Sequence, residues 1–175
     1  MITANTAIIL AGGKSLRMGQ DKQELTFDGN RLIDVIIDQL HDDFNEIIIV
    51  TNKPHLYGGR LICTQDTPRF AGRGPLAGLH AGLTVSSSDY SFLLACDMPY
   101  INKPYLRYMK SQLAEGHKLA IITKEGEHIA PFHGFYSKAN IPLIDNYLSR
   151  GRSSLQRYLR GISPIHYVDE DLAQA

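Results

Sequence analysis

Short runs of branched apolar residues alternate along this chain with longer amphipathic stretches. The run "TAIIL" (6–10) ends in glycines and reads as a buried strand. In "NRLIDVIIDQLHDDF" (30–44), Ile33, Ile36, Ile37, Leu40 and Phe44 have helical spacing, with Asn30 as the expected N-cap. "EIIIVT" (46–51) reads as the next strand and "RLICTQD" (60–66) as a shorter one. "GPLAGLHAGLTVS" (74–86) starts a helix, with Pro75 suited to its first turn. "SFLLACD" (91–97) is a buried strand. "NKPYLRYMKSQLAEG" (102–116) is a helix between a cap at Asn102 and a stop at Gly116. "KLAIIT" (118–123) and the alternating "FHGFYS" (132–137) read as strands, 140–149 and 153–160 as short helices, and "PIHYVDE" (164–170) as a last strand.

This alternation predicts an α/β fold: a Rossmann-like, doubly wound, mostly parallel sheet with helices on both faces. Ligands in such folds bind beyond the carboxyl ends of the strands. The polar or glycine positions just after each apolar run therefore matter most. They are Gly12 and Gly13, then Asn52, Asp66 and Asp97. No internal repeat, low-complexity tract or linker interrupts the pattern, so a single domain over 1–175 is expected.

Composition narrows the function classes. Lys plus Arg equals Asp plus Glu at 18 each, so the chain lacks the basic excess of a duplex nucleic-acid binder. The longest apolar runs are about five residues, far below the roughly 20 that a membrane helix needs. No basic segment followed by an apolar one opens the chain. A cytoplasmic protein without nucleic-acid or membrane partners is expected. Cys63 and Cys96 lie in or beside apolar runs and form no C-x-x-C, which suits buried free thiols in a reducing compartment.

The chemistry concentrates in "AIILAGGKSLRMGQDK" (7–22). Gly13-Lys14-Ser15 has the end of a Walker A motif, but the first glycine would fall at Ile8, inside the strand. The glycines at 12, 13 and 19 do not make G-x-G-x-x-G either. Paired glycines after a strand let the backbone approach a ligand and turn N–H groups toward anionic oxygens. Lys14, Arg17 and Lys22 follow, a set of cations that suits a polyphosphate as well as a solvated loop. Asp97 closes a buried strand. One carboxylate suffices for Mg²⁺ when substrate phosphates and waters supply the other ligands, and it also suits a turn before Pro99. Asp66 suits a base or sugar contact, or an Asx turn. "GRGPLAG" (72–78) is a loose dinucleotide fingerprint without a clear strand before it. The seven histidines show no metal spacing, and no serine sits in G-x-S-x-G.

"LAGGKSLRMGQDK", "GPLAG" and "LLACDMPY" together resemble the molybdenum cofactor guanylyltransferase (MobA) family, over nearly the whole chain. The resemblance implies a nucleotidyltransferase fold and the joining of GMP from GTP to molybdopterin, with Mg²⁺ as cofactor and release of pyrophosphate. It implies that Leu10, Ala11, Gly12 and Gly13 line the guanine and ribose site. It gives the phosphates to Arg17 and Lys22, a nucleotide contact to Asp66, and the metal to Asp97, with Arg17, Lys22 and Asp97 as the catalytic set. Cytidylyl-transferring relatives read L-A-A-G where this chain reads L-A-G-G, and Gly12 leaves room for a purine. One departure concerns the acceptor. The F-x-N-x-N-T-P-x-D-L-type segment of the family is expected to be missing, since the chain ends "HYVDEDLAQA". Cofactor-insertion proteins are the partners the resemblance implies. Two alternatives stand beside it: a related nucleotidyltransferase using CTP or a sugar-phosphate acceptor, and a non-catalytic nucleotide-binding protein.

Overall fold

Alternation along each central strand feeds two cores. In β1 (Thr6–Leu10), Ala7 and Ile9 face one side of the sheet while Ile8 and Leu10 face the other, and all are buried. The computed structural model describes residues 1–12, 21–59, 61–115 and 117–169. Gly13, Lys14, Arg17 and Gly116 lie outside the described residues.

β1 is flanked in parallel by β4 (Glu46–Val50) and β6 (Tyr90–Ala95). β5 (Ile62–Thr64) extends the sheet beyond β4. On the other side, β8 (His128–Ser137) pairs antiparallel with both β6 and β7 (Ala120–Glu125), and β9 (Ile165–Val168) runs parallel to β7. The order of this seven-stranded sheet is β5-β4-β1-β6-β8-β7-β9. Helices α1 (Leu32–Leu40) and α3 (Lys103–Ser111) bury their apolar faces in one core. Helices α2 (Pro75–Val85), α4 (Asn140–Ser149) and α5 (Leu155–Arg160) line the other. The doubly wound, mostly parallel sheet is as the alternation predicts.

Several boundaries differ for identifiable reasons. Asn30 does not cap α1. It pairs with Phe27 in a small hairpin of β2 (Thr26–Phe27) and β3 (Asn30–Arg31), and Arg31 takes the cap position without a side-chain bond to the helix's first-turn amides. Asp28 and Gly29 turn that hairpin with φ of 53° and 81°, the left-handed pair that Asp-Gly favours. The first helix stops at Leu40, although Phe44 still packs beneath it. Asn102 does cap α3, its side chain accepting from the Tyr105 amide at 3.1 Å. The 132–137 strand begins four residues earlier than the alternation marks, at His128, because it closes a hairpin with β7. Cys96 is buried as expected, whereas Cys63 is only partly so; both thiols are free.

Candidate active site

The chain winds from β1 outward to β4 and β5, then crosses to β6 on the far side of β1. At such a reversal doubly wound folds have their ligand crevice, here at the carboxyl ends of β1 and β6. Register decides what lines it. Leu10 pairs with Ala95, and the Cys96 amide donates to the Leu10 carbonyl at 3.1 Å. Gly12 and Asp97 thus leave the sheet side by side, two residues beyond the paired positions.

Asp97 is met by a residue from a distant part of the chain. Lys22 Nζ donates to Asp97 Oδ2 at 2.6 Å, and this bond holds the Lys22 ammonium above the usual lysine range. Both side chains stay partly solvated, so they remain accessible to a ligand. Lys22 stands in a single 3-10 turn, Lys22–Glu24, capped by Asp21. Asp21 Oδ2 in turn binds Lys53 Nζ at 2.6 Å, and that bond holds its carboxyl below the usual carboxylate range. Lys53 follows β4 beside the exposed Asn52.

The remaining expected site residues fall into two groups. Leu10 and Ala11 are buried, with the Leu10 side chain against α2 and the Ala11 amide donating to Val50 O at 2.9 Å. Gly12 is exposed at the crevice, and among the described residues a β-carbon there would meet Val50 O, at an ordinary 3.9 Å. Asp66 follows β5 and is half-buried. Its Oδ2 accepts from the Gly72 amide at 3.2 Å, and burial pushes its carboxyl up. The loop it begins is pinned to α4: Arg69 binds Asp145 and Ser149, and Arg73 donates to Leu148 O at 2.9 Å. Gly74 enters α2 with φ 75°, a conformation that side-chain-bearing residues rarely adopt. Between Ala95 and Asp97, burial pushes the Cys96 thiol up to about 11, which leaves it a packing group rather than a nucleophile.

Lys22, Asp97 and Gly12 are therefore brought to one crevice, with Asp66 at the end of an outer strand. Gly13 and Arg17 lie outside the described residues. Lys53 and Gln23 were not singled out by sequence reasoning. Gln23 stands in a polar run and looks like a surface residue, yet it is 2% exposed.

A switch point carrying a lysine–carboxylate pair beside Gly12 suits a Rossmann-like, nucleotide-binding protein. The chain belongs to the MobA-like NTP transferase family, whose model matches residues 7–166. It is 44% identical over 170 residues to a molybdenum cofactor guanylyltransferase of Syntrophotalea carbinolica, covering 97% of this chain and 80% of that one. A probable molybdenum cofactor guanylyltransferase of Peptoclostridium acidaminophilum is 40% identical over 173 residues, covering 94% of this chain and 76% of that one. Among solved structures, the molybdopterin-guanine dinucleotide biosynthesis protein A from Archaeoglobus fulgidus superposes with a TM-score of 0.81 at 18% identity, over 97% of this chain and 85% of that one. A 2-C-methyl-D-erythritol 4-phosphate cytidylyltransferase from Thermus thermophilus shares the fold at a TM-score of 0.67 and 11% identity, over 95% of this chain and 89% of that one. Among the described residues, no helix is long and apolar enough to cross a membrane.

Proposed function

We propose that this protein transfers GMP from GTP to the terminal phosphate of molybdopterin, forming the guanine dinucleotide cofactor and releasing pyrophosphate. The observation that carries the reading is the contact of Lys22 with Asp97 in the crevice beside Gly12. The two relatives above, with their guanylyltransferase names, support the choice of nucleotide and acceptor.

The acceptor is a phosphate monoester, whose second ionisation lies at about 6. It is largely ionised at neutral pH and needs no strong general base. Catalysis then rests on positioning and charge neutralisation. Lys22 offsets charge on the leaving pyrophosphate, and Arg17 is assigned the same task. Gly12, without a side chain, allows the nucleotide a close backbone approach, and Asp66 offers an acceptor at the outer end of the site.

Asp97 suits a single Mg²⁺. Lys22 occupies Oδ2, and no hydrogen bond among the described residues uses Oδ1. Among those residues no cluster of three or more His, Cys, Asp or Glu side chains makes an all-protein cage. One carboxylate completed by substrate phosphates matches how Mg²⁺ is held at nucleotide sites. When bound, the ion supplies Lewis-acid polarisation of the phosphate oxygens.

The reading places the protein in the cytoplasm, handing its product to molybdenum-cofactor insertion proteins. Calorimetric titration with GTP, CTP, ATP and UTP in Mg²⁺ tests the nucleotide. GTP should bind most tightly, and equal or tighter binding of CTP would contradict the assignment.

A further inference from the structure

We propose that Gln23 is a positioning residue that holds Lys22 against Asp97. This rests on the catalytic reading of Lys22 given above. Gln23 is next to Lys22 in the chain but points the opposite way, into the protein. Its Oε1 accepts two hydroxyl hydrogen bonds, from Thr51 Oγ1 at 2.5 Å and from Tyr57 OH at 3.0 Å.

Both donors are themselves fixed. Thr51 is 2% exposed; its amide donates to Thr64 O at 2.8 Å, and its Oγ1 accepts from the Lys53 amide at 2.9 Å. That last bond uses a lone pair of Oγ1 and leaves its proton available to Gln23. Tyr57 is buried, with the Arg31 guanidinium 5.5 Å above its ring, and Arg31 also donates to Leu56 O. The Gln23 amide is thereby tied to the carboxyl end of β4 and to the turn after it.

A primary amide taken out of water is costly unless paired, so this burial has to be matched by specific partners. What it secures is a short segment whose other attachments among the described residues are mostly at its solvated rim. Among the described residues, the turn holding Lys22 has one internal backbone bond, Glu24 N to Asp21 O at 3.0 Å, the Gln23 backbone amide on Asp21 Oδ1 at 3.0 Å, and at its rim the ion pairs of Lys53 with Asp21 and Glu24. The rim pairs are solvated and contribute little. Gln23 is the buried anchor. With it in place, the Lys22 side chain leaves the turn on the crevice side and reaches Asp97.

The test separates positioning from catalysis. Gln23→Met keeps size and removes the acceptor; Gln23→Glu keeps the acceptor oxygen. Acylation of Lys22 by acetic anhydride, read by peptide mass spectrometry on folded protein, should rise several-fold in Gln23→Met. It should stay near wild type in Gln23→Glu. Turnover with GTP, Mg²⁺ and molybdopterin should fall roughly 10–100-fold in kcat for Gln23→Met, with less change in the KM for GTP, as expected when a catalytic group is displaced by about 1 Å. On a Lys22→Ala background the same substitution should cost nothing further. Unchanged Lys22 labelling in folded Gln23→Met, or a loss that adds fully to that of Lys22→Ala, would overturn the proposal. Raised labelling with Lys22→Ala still at wild-type turnover would instead uphold positioning and sink the catalytic reading of Lys22. If Gln23→Met does not fold, Tyr57→Phe removes one of the two donors and should raise labelling to a smaller extent; unchanged labelling there would likewise count against the anchor.

Discussion

Lys22 and Asp97 are 75 positions apart in the chain, yet Nζ donates to Oδ2 at 2.6 Å across the mouth of the sheet. Because both side chains are partly solvated, the pair contributes little to stability. Its weight falls on chemistry. Asp97→Ala should abolish turnover, and Lys22→Ala should lower it by about 10²–10³-fold, the scale of a lost electrostatic stabiliser. Thermal melts of both variants should stay close to wild type. Wild-type turnover by purified Asp97→Ala with Mg²⁺ would contradict the metal assignment.

Gly12 tests the choice of nucleotide. Among the described residues the nearest atom to a β-carbon there would be Val50 O, at an ordinary 3.9 Å. Gly12→Ala should therefore fold normally and change the ligand side alone. The ratio of kcat/KM for GTP over CTP should drop by about tenfold or more, the usual worth of one carbon in a binding pocket. Steady-state kinetics with the two nucleotides measures it.

The same crevice depends on how closely α2 lies on β1. A β-carbon at Gly82 would come within 2.6 Å of Ile8 Cγ2 and 2.9 Å of Ile8 Cδ1, both deep in the core. Gly82→Ala should destabilise the protein by about 1–3 kcal/mol through overpacking. Urea titration should show an earlier midpoint with an unchanged slope.

A pH dependence follows from His80 on α2. It is buried against Phe70, with Thr67 Oγ1 3.3 Å from Nδ1, and burial lowers its pKa below 6.5 despite the opposing pull of Asp145. Unfolded chains then bind this proton more readily than folded ones. Stability from His80 is full above about pH 6.5 and is lost as pH falls toward the depressed folded value. His80→Leu should flatten the stability curve just below about pH 6.5. Carboxylates held low, such as Asp21 and Glu46, give way only at more acid pH.

Much of this was legible in the sequence because burial writes itself as hydrophobic runs. The three central strands are apolar on both faces, so Gly12 and Asp97 stood out as the residues that end them. The wide spacing of Lys22 and Asp97 hid their contact, which depends on strand order rather than on any local pattern. The Asp28–Gly29 hairpin carried its turn signal, but each arm is two residues, too short to show alternation. Gln23 left no trace, since a polar residue becomes a core residue only when Thr51 and Tyr57 fold onto it. The antiparallel placement of β8 likewise depends on a tertiary return that its composition does not encode.

The most direct measurement is pyrophosphate release by the purified chain with Mg²⁺ and molybdopterin, run with GTP and with CTP. Release with GTP that requires molybdopterin and yields the guanine dinucleotide is the predicted result. Release with CTP in preference to GTP, or folded protein that binds GTP yet releases no pyrophosphate when molybdopterin is present, would contradict it.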